Sequence, residues 1–191
     1  MQLLKVTEHY MRIFLGVQIP DNVTKQIRTT IGSIKNAYPE FQWIPEENYH
    51  LSIFFFGERS EEKIPDMIEG IERTTFDLDK THLATTGLGL FVKKGITMHI
   101  TYGRSKTLET IHNRIISVIG PQIPQKHDIY IPHTTVAKYK LPSKQQYFHL
   151  KKKIQKIPID IEFPLDSLQL YESEIKKPFP EYRIIHTFHL Q

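Results

Sequence analysis

His50-Leu51-Ser52-Ile53 lies inside the run Trp43-Ile44-Pro45-Glu46-Glu47-Asn48-Tyr49-His50-Leu51-Ser52-Ile53-Phe54-Phe55-Phe56-Gly57-Glu58. It has a counterpart far downstream, His133-Thr134-Thr135-Val136, within Ile131-Pro132-His133-Thr134-Thr135-Val136-Ala137-Lys138. Residues two apart in a strand project to one side. Each motif read as a strand therefore shows an imidazole and a hydroxyl on one face, and turns Leu51, Ile53 or Val136 the other way. A single His-x-Ser/Thr-x is a pattern that chance supplies; two copies in equivalent places are not so easily dismissed.

The surroundings of the two motifs match in order. Before the first, residues 12–19 alternate, with Ile13, Leu15, Val17 and Ile19 on one face. This reads as a half-buried strand. Pro20 and Asp21 then open a helix with Val23, Ile27, Ile31 and Ile34 as its stripe and Asp21 as its N-cap. After the motif, Ser60-Glu61-Glu62 starts a helix with Ile64, Met67, Ile68 and Ile71 inward, followed by a β-rich stretch over 76–92. The second round reads as a strand over 96–104, then a helix over 106–119 with Leu108, Ile111, Ile115, Val118 and Ile119 inward, ended by Gly120-Pro121. A strand over 129–139 follows. Ser143-Lys144-Gln145-Gln146 is a capping box for a helix carrying Tyr147, Leu150 and Ile154. Short strands near 157–163, 167–172 and 182–190 close the chain, with Pro164 and Lys177-Pro178 between them. Counted from Ile13 and from Ile96, the two histidines fall at the same offset of 37 residues. The pattern predicts two similar α/β lobes without a polar linker, residues 1–10 being an extension and 11–191 a single bilobal domain.

The 191 residues carry 25 Lys and Arg against 21 Asp and Glu, a net charge of +4. Hydrophobic residues make up 39%, which excludes a disordered charged tail. There is no cysteine, so disulfides, Cys-ligated zinc and thiol nucleophiles are excluded. No apolar run approaches the roughly 20 residues of a membrane helix, and the start of the chain is no signal peptide. The expectation is a cytoplasmic protein with no membrane association. Ten histidines remain as the groups that titrate near neutrality.

Two imidazoles and two hydroxyls facing one another suit a phosphodiester. One neutral ring takes a proton from water, one protonated ring gives a proton to the leaving oxygen, and the hydroxyls hold the non-bridging oxygens. No metal or other cofactor is needed, and the other histidines show no ligand spacing. They read as scattered, His99 and His112 among them; His186 and His189 point to opposite faces of a strand. Phe14, Phe54 and Phe56 alternate and are candidates for stacking a base, with Trp43 and Tyr130 as weaker ones. Lys93-Lys94, Lys151-Lys152-Lys153 and Lys176-Lys177 read first as solvated faces and second as an RNA track.

With these flanks the paired motifs resemble the two-histidine phosphoesterases, and within them the RNA 2′,3′-cyclic phosphodiesterases once called 2′-5′ RNA ligases. Met11–Val17, Leu168–Ser173, Tyr182 and Phe188-His189-Leu190 are similar as well. The resemblance implies an α+β fold: two α/β lobes, each an antiparallel sheet with helices outside, around a central cleft. It implies opening of a 2′,3′-cyclic phosphate at an RNA end to a 2′-phosphate. His133 would be the proton acceptor and His50 the proton donor, with Ser52 and Thr135 on the phosphate. Ser52 stands where the family usually has Thr, and Lys138 where it usually has Arg. Strand parity sets Lys138 opposite His133, so it reaches the phosphate only through a bulge and is at most a contributor. Residues 87–99 depart from the family's usual connecting segment. The partners implied are RNA ends or a small nucleotide, with no obligate protein partner. Competing readings are another nucleotide (a 2′-5′ oligonucleotide, a cyclic nucleotide or ADP-ribose cyclic phosphate), RNA 2′-5′ ligation, and a non-catalytic RNA-binding module.

Overall fold

The alternating segment forms strand β1, Tyr10–Gln18, which starts one residue inside the stretch expected as an extension. The computed structural model describes residues 9–118, 130–140 and 143–191. After β1 come α1 (Asp21–Ala37), β2 (Gln42–Trp43), β3 (His50–Ser60), α2 (Ile64–Thr75), β4 (Thr81–Val92) and β5 (Ile96–Tyr102). They are followed by α3 (Lys106–Val118), β6 (His133–Tyr139), α4 (Lys144–Ile154), β7 (Glu162–Leu165), β8 (Ser167–Glu174) and β9 (Glu181–His189).

Two antiparallel sheets result, one ordered β3-β1-β8-β9 and the other β2-β6-β5-β4-β7. The lobes are thus not the two halves of the sequence. β1 pairs on both sides, with β3 and β8. An inner strand needs a partner on each edge for its backbone groups, and the C-terminal strands supply the second one. In return β2 and β4, from the first half, belong to the second sheet. Helices α2 and α3 pack together against the first sheet, and α4 packs against β4 of the second.

The apolar stripes land as their periodicity requires. Val23, Ile27, Ile31 and Ile34 of α1, Ile71 of α2, Leu108, Ile111 and Ile115 of α3, and Leu150 and Ile154 of α4 are all buried in one core. The Ser143 capping box is complete, with the side chains of Ser143 and Gln146 each accepting the other's backbone N–H.

Local expectations fail where a terminus or an edge changes the rule. Pro20, not Asp21, caps α1, and Asp21 is the first helical residue, its charge in the positive first turn. Ser60 precedes a 3-10 turn, and α2 begins only at Ile64. Val118 is 54% exposed, because it ends α3 beyond the last core contact. Ile119 and Gly120-Pro121 lie outside the described residues. Pro164 sits inside β7 rather than between strands; β7 is an edge strand, where a missing N–H costs nothing.

Candidate active site

Each motif strand runs antiparallel beside an earlier strand of its own sheet, β3 beside β1 and β6 beside β5. His50 lies opposite Gln18 of β1, and His133 opposite Thr101 of β5. In both cases the partner is the residue 32 positions earlier, so the two lobes repeat at the level of register.

Both strands then bulge at the same place. Leu15 faces Phe54 while Gly16 faces Ser52, leaving Ile53 over; Met98 faces Ala137 while His99 faces Thr135, leaving Val136 over. One extra residue moves every later side chain to the other face. Ile53 and Phe54 are therefore consecutive core residues, as are Val136 and Ala137. Beyond the bulges Phe55 and Lys138 turn back to the side of the histidines. This bulge is what lets Lys138 join the site despite its parity. It also corrects the aromatic candidates: Phe54 and Phe56 are buried in the core at 2% and 1% exposure, away from any base. Phe55 is 62% exposed and lines the cleft in their place.

His50, Ser52, His133, Thr135 and Lys138 line one cleft of about 500 Å³ together with Arg12, Phe14, Phe55, Lys176 and Tyr182. The same local device holds both imidazoles. Nδ1 of His50 donates to the Asn48 carbonyl at 2.8 Å, and Nδ1 of His133 donates to the Ile131 carbonyl at 2.8 Å. A carbonyl only accepts, so the proton is on Nδ1, and Nε2 is the nitrogen left for chemistry. The Asn48 side chain in turn donates to the Pro180 carbonyl at 2.9 Å, tying the turn before β3 to the β8–β9 loop.

The first imidazole sits among rings. Phe14 lies 4.9 Å from it, and Tyr182 meets it edge-on at 4.9 Å. Burial pushes the His50 pKa down to about 4; the Asn48 carbonyl opposes this, and the charges of His133 and Lys138 add to it. Phe14 is buried rather than open to a base, and it serves as the wall behind His50.

Sequence reasoning missed Phe55, Arg12 and His99, and it weighed Lys176 only as a second reading, behind a solvated face. Arg12 shares the polar face of the first strand with Phe14, which is the signal that would have found it. Lys176 is held by Glu174 and Glu181 at the rim. His99 is not scattered but touches His133, with ring centroids 5.4 Å apart. Trp43 donates to the Tyr38 carbonyl at 2.9 Å, and Tyr130 to the Ser52 carbonyl at 3.3 Å, so both act as struts. Among the described residues no cluster of three His, Asp or Glu side chains is arranged to hold a metal ion, and no helix is long and apolar enough to cross a membrane.

A family model described as the 2′-5′ RNA ligase superfamily matches residues 20–176. The chain is 26% identical over 187 residues to an RNA 2′,3′-cyclic phosphodiesterase of Thermotoga maritima, covering 92% of this chain and 94% of the relative. Its fold is similar to that of TT0787 from Thermus thermophilus, with a TM-score of 0.74, 22% identity, and coverage of 94% and 98%. It is also similar to E. coli LigT solved with 3′-AMP, with a TM-score of 0.72, 17% identity, and coverage of 95% and 99%.

Proposed function

The chain belongs to the 2′-5′ RNA ligase superfamily, and from that premise we propose that it hydrolyses the 2′,3′-cyclic phosphate at an RNA end to a 2′-phosphate. The observation that carries this reading is the meeting of both histidine–hydroxyl pairs in one cleft. The Thermotoga relative bears that activity as its name.

The cyclic diester anion seats between the imidazoles. Nε2 of His133 takes a proton from water as the water oxygen attacks phosphorus. The bond from phosphorus to O3′ breaks, and His50 gives its Nε2 proton to O3′. The products are a 2′-phosphate and a 3′-hydroxyl, with the proton now on His133 and returned to His50 through solvent. Ser52 and Thr135 donate to the non-bridging oxygens as charge builds there, and Lys138 and Arg12 supply positive potential. Before substrate binds, His50 is neutral, because burial and the positive charge of Lys138 disfavour its proton. A phosphodiester anion offsets that charge, so substrate binding itself arms the acid. Phe55 offers the base a cleft-facing ring. The partners are thus RNA ends or small nucleotides, met in the cytoplasm.

The test is an oligoribonucleotide ending in a 2′,3′-cyclic phosphate, incubated with the protein in EDTA. A 2′-phosphate product is expected, with losses of at least about a hundredfold in His50→Ala and His133→Ala. An intact cyclic end after exhaustive incubation overturns the reading. Running 2′-5′-linked oligonucleotides and ADP-ribose cyclic phosphate alongside would reassign the substrate if they turn over faster.

A further inference from the structure

Each histidine of the site abuts a stacked pair of rings, one from the strand paired with its own and one from the next strand out. In the first sheet Phe14 of β1 stacks on Tyr171 of β8, at 4.8 Å and 12°, and Phe14 lies 4.9 Å from His50. In the second sheet His99 of β5 stacks on Phe91 of β4, at 3.9 Å and 17°. Phe91 meets the His133 ring edge-on at 4.9 Å and 85°, and His99 meets it at 5.4 Å and 69°. The strands correspond: β1 and β5 pair with the motif strands, and β8 and β4 are the next ones out. The second stack is not a register copy of the first: His99, opposite Thr135, stands where the first lobe has Gly16, opposite Ser52, and so brings a third imidazole to the site.

The backbone makes room for this stack. His99 is 3% exposed and lies opposite Thr135 on one side and Gly89 on the other. A Cβ at Gly89 would come within 2.5 Å of His99 Nε2 and 2.9 Å of Thr101 Cγ2. Only a residue without a side chain lets the His99 ring lie back over β4 and reach Phe91. The His133 ring, fixed by one hydrogen bond to the Ile131 carbonyl, gains a wall from the stack. All of these residues but Ile131, His133 and Thr135 fall in the 87–101 hairpin, most of it the segment that departs from the family pattern.

We propose that His99 and Phe91 are positioning residues for His133: their stack stops its ring from turning, keeps Nδ1–H on the Ile131 carbonyl and aims Nε2 at the attacking water. The proposal deepens the cyclic phosphodiesterase reading and rests on it for its kinetic consequence. His99 itself is not among the cleft-lining residues, and it acts through the His133 ring.

Four variants test it: His99→Ala and Phe91→Leu remove a ring, while His99→Phe and Phe91→Tyr keep one. With a cyclic-phosphate dinucleotide, kcat is expected to fall about tenfold in the first two, with KM within about twofold, and to recover in the ring-keeping variants. A second readout needs no turnover. Long-range proton–nitrogen spectra of the substrate-free protein, with the His133 signals identified by their loss in His133→Gln, report the tautomer of that ring. One Nδ1–H tautomer is expected in the wild type and the ring-keeping variants, and a mixture in the ring-removing ones. If the wild type turns over no cyclic phosphate while the spectra change in this way, the activity reading fails and the positioning role stands. Unchanged His133 signals and kcat in a folded His99→Ala, or in Phe91→Leu should His99→Ala not fold, overturn the positioning role.

Discussion

Replacing His99 by glutamine should flatten the protein's loss of stability in mild acid. Burial, with a contribution from the charge on His133, holds the His99 pKa down to about 4, while an unfolded chain has a histidine near 6.5. Between these values the unfolded chain binds a proton that the fold refuses. Stability is therefore complete above about pH 6.5 and falls as the pH drops toward 4. At pH 5 one such histidine costs about 2 kcal/mol relative to pH 7.5. His50, also held to about 4 by burial, adds a loss of the same sign over the same range, unchanged by the substitution at His99. Against a total of about 5–15 kcal/mol for a typical domain, the loss is readily measured. Carboxylates do not mask it: Asp77 and Glu109, paired with Arg114 and Arg104, are held below the ordinary carboxylate range and titrate at lower pH. Urea unfolding at pH 7.5, 6 and 5, with a common m-value, gives the slopes. His99→Gln should start lower at pH 7.5, having lost the stack on Phe91, and lose about 2 kcal/mol less than the wild type by pH 5. Parallel pH dependences in the two proteins would refute the account of a buried neutral imidazole.

Three other outcomes follow from the cleft. A nitrophenyl phosphodiester, whose leaving group needs no proton, should restore His50→Ala far more than His133→Ala; the reverse pattern would exchange the acid and base. Lys138→Ala should raise KM about tenfold, with Lys138→Arg near the wild type, as measured by steady-state kinetics at low salt. Phe55→Ala should leave the melting temperature unchanged and raise KM for a dinucleotide about tenfold, whereas Phe54→Ala should cost about 3 kcal/mol of stability.

The two motif strands were legible because their pattern is local. A period of two sets His50 with Ser52 and His133 with Thr135 on one side, and no tertiary information is needed for that. The helices were legible for the same reason, since Val23, Ile27, Ile31 and Ile34 declare a face wherever the helix packs. What failed was whatever depends on a neighbouring strand. Nothing in Ser52-Ile53-Phe54-Phe55 announces that β1 will skip Ile53, so the period alone puts Phe54 and Phe56 at the cleft and leaves Phe55 out. The membership of the sheets was hidden likewise: β8 completes the sheet of β1 across some 150 residues of chain, and no local period reports that. His99 looks isolated in the sequence because its partners, Phe91 and His133, come from two other strands.

A repeated half-site has to become unequal before it can do acid–base work, and the bulges show where the inequality enters. Up to the hydroxyl the two motifs are matched: the same carbonyl two residues back holds each Nδ1–H, and the same register sets each ring against its partner strand. One position past the matched bulges they diverge, to Phe55 on one wall and Lys138 on the other. The charge of Lys138 reaches across to His50, while Phe14 and Tyr182 enclose that ring in apolar surface. On the proposed reading His50 is thereby a poor holder of a proton until an anion arrives, and then a ready donor of it. The asymmetry also gives the substrate a direction. On the proposed reading, an anion drawn toward Lys138 with its base over Phe55 enters in one orientation, which decides the oxygen that faces His50 and therefore the bond that breaks.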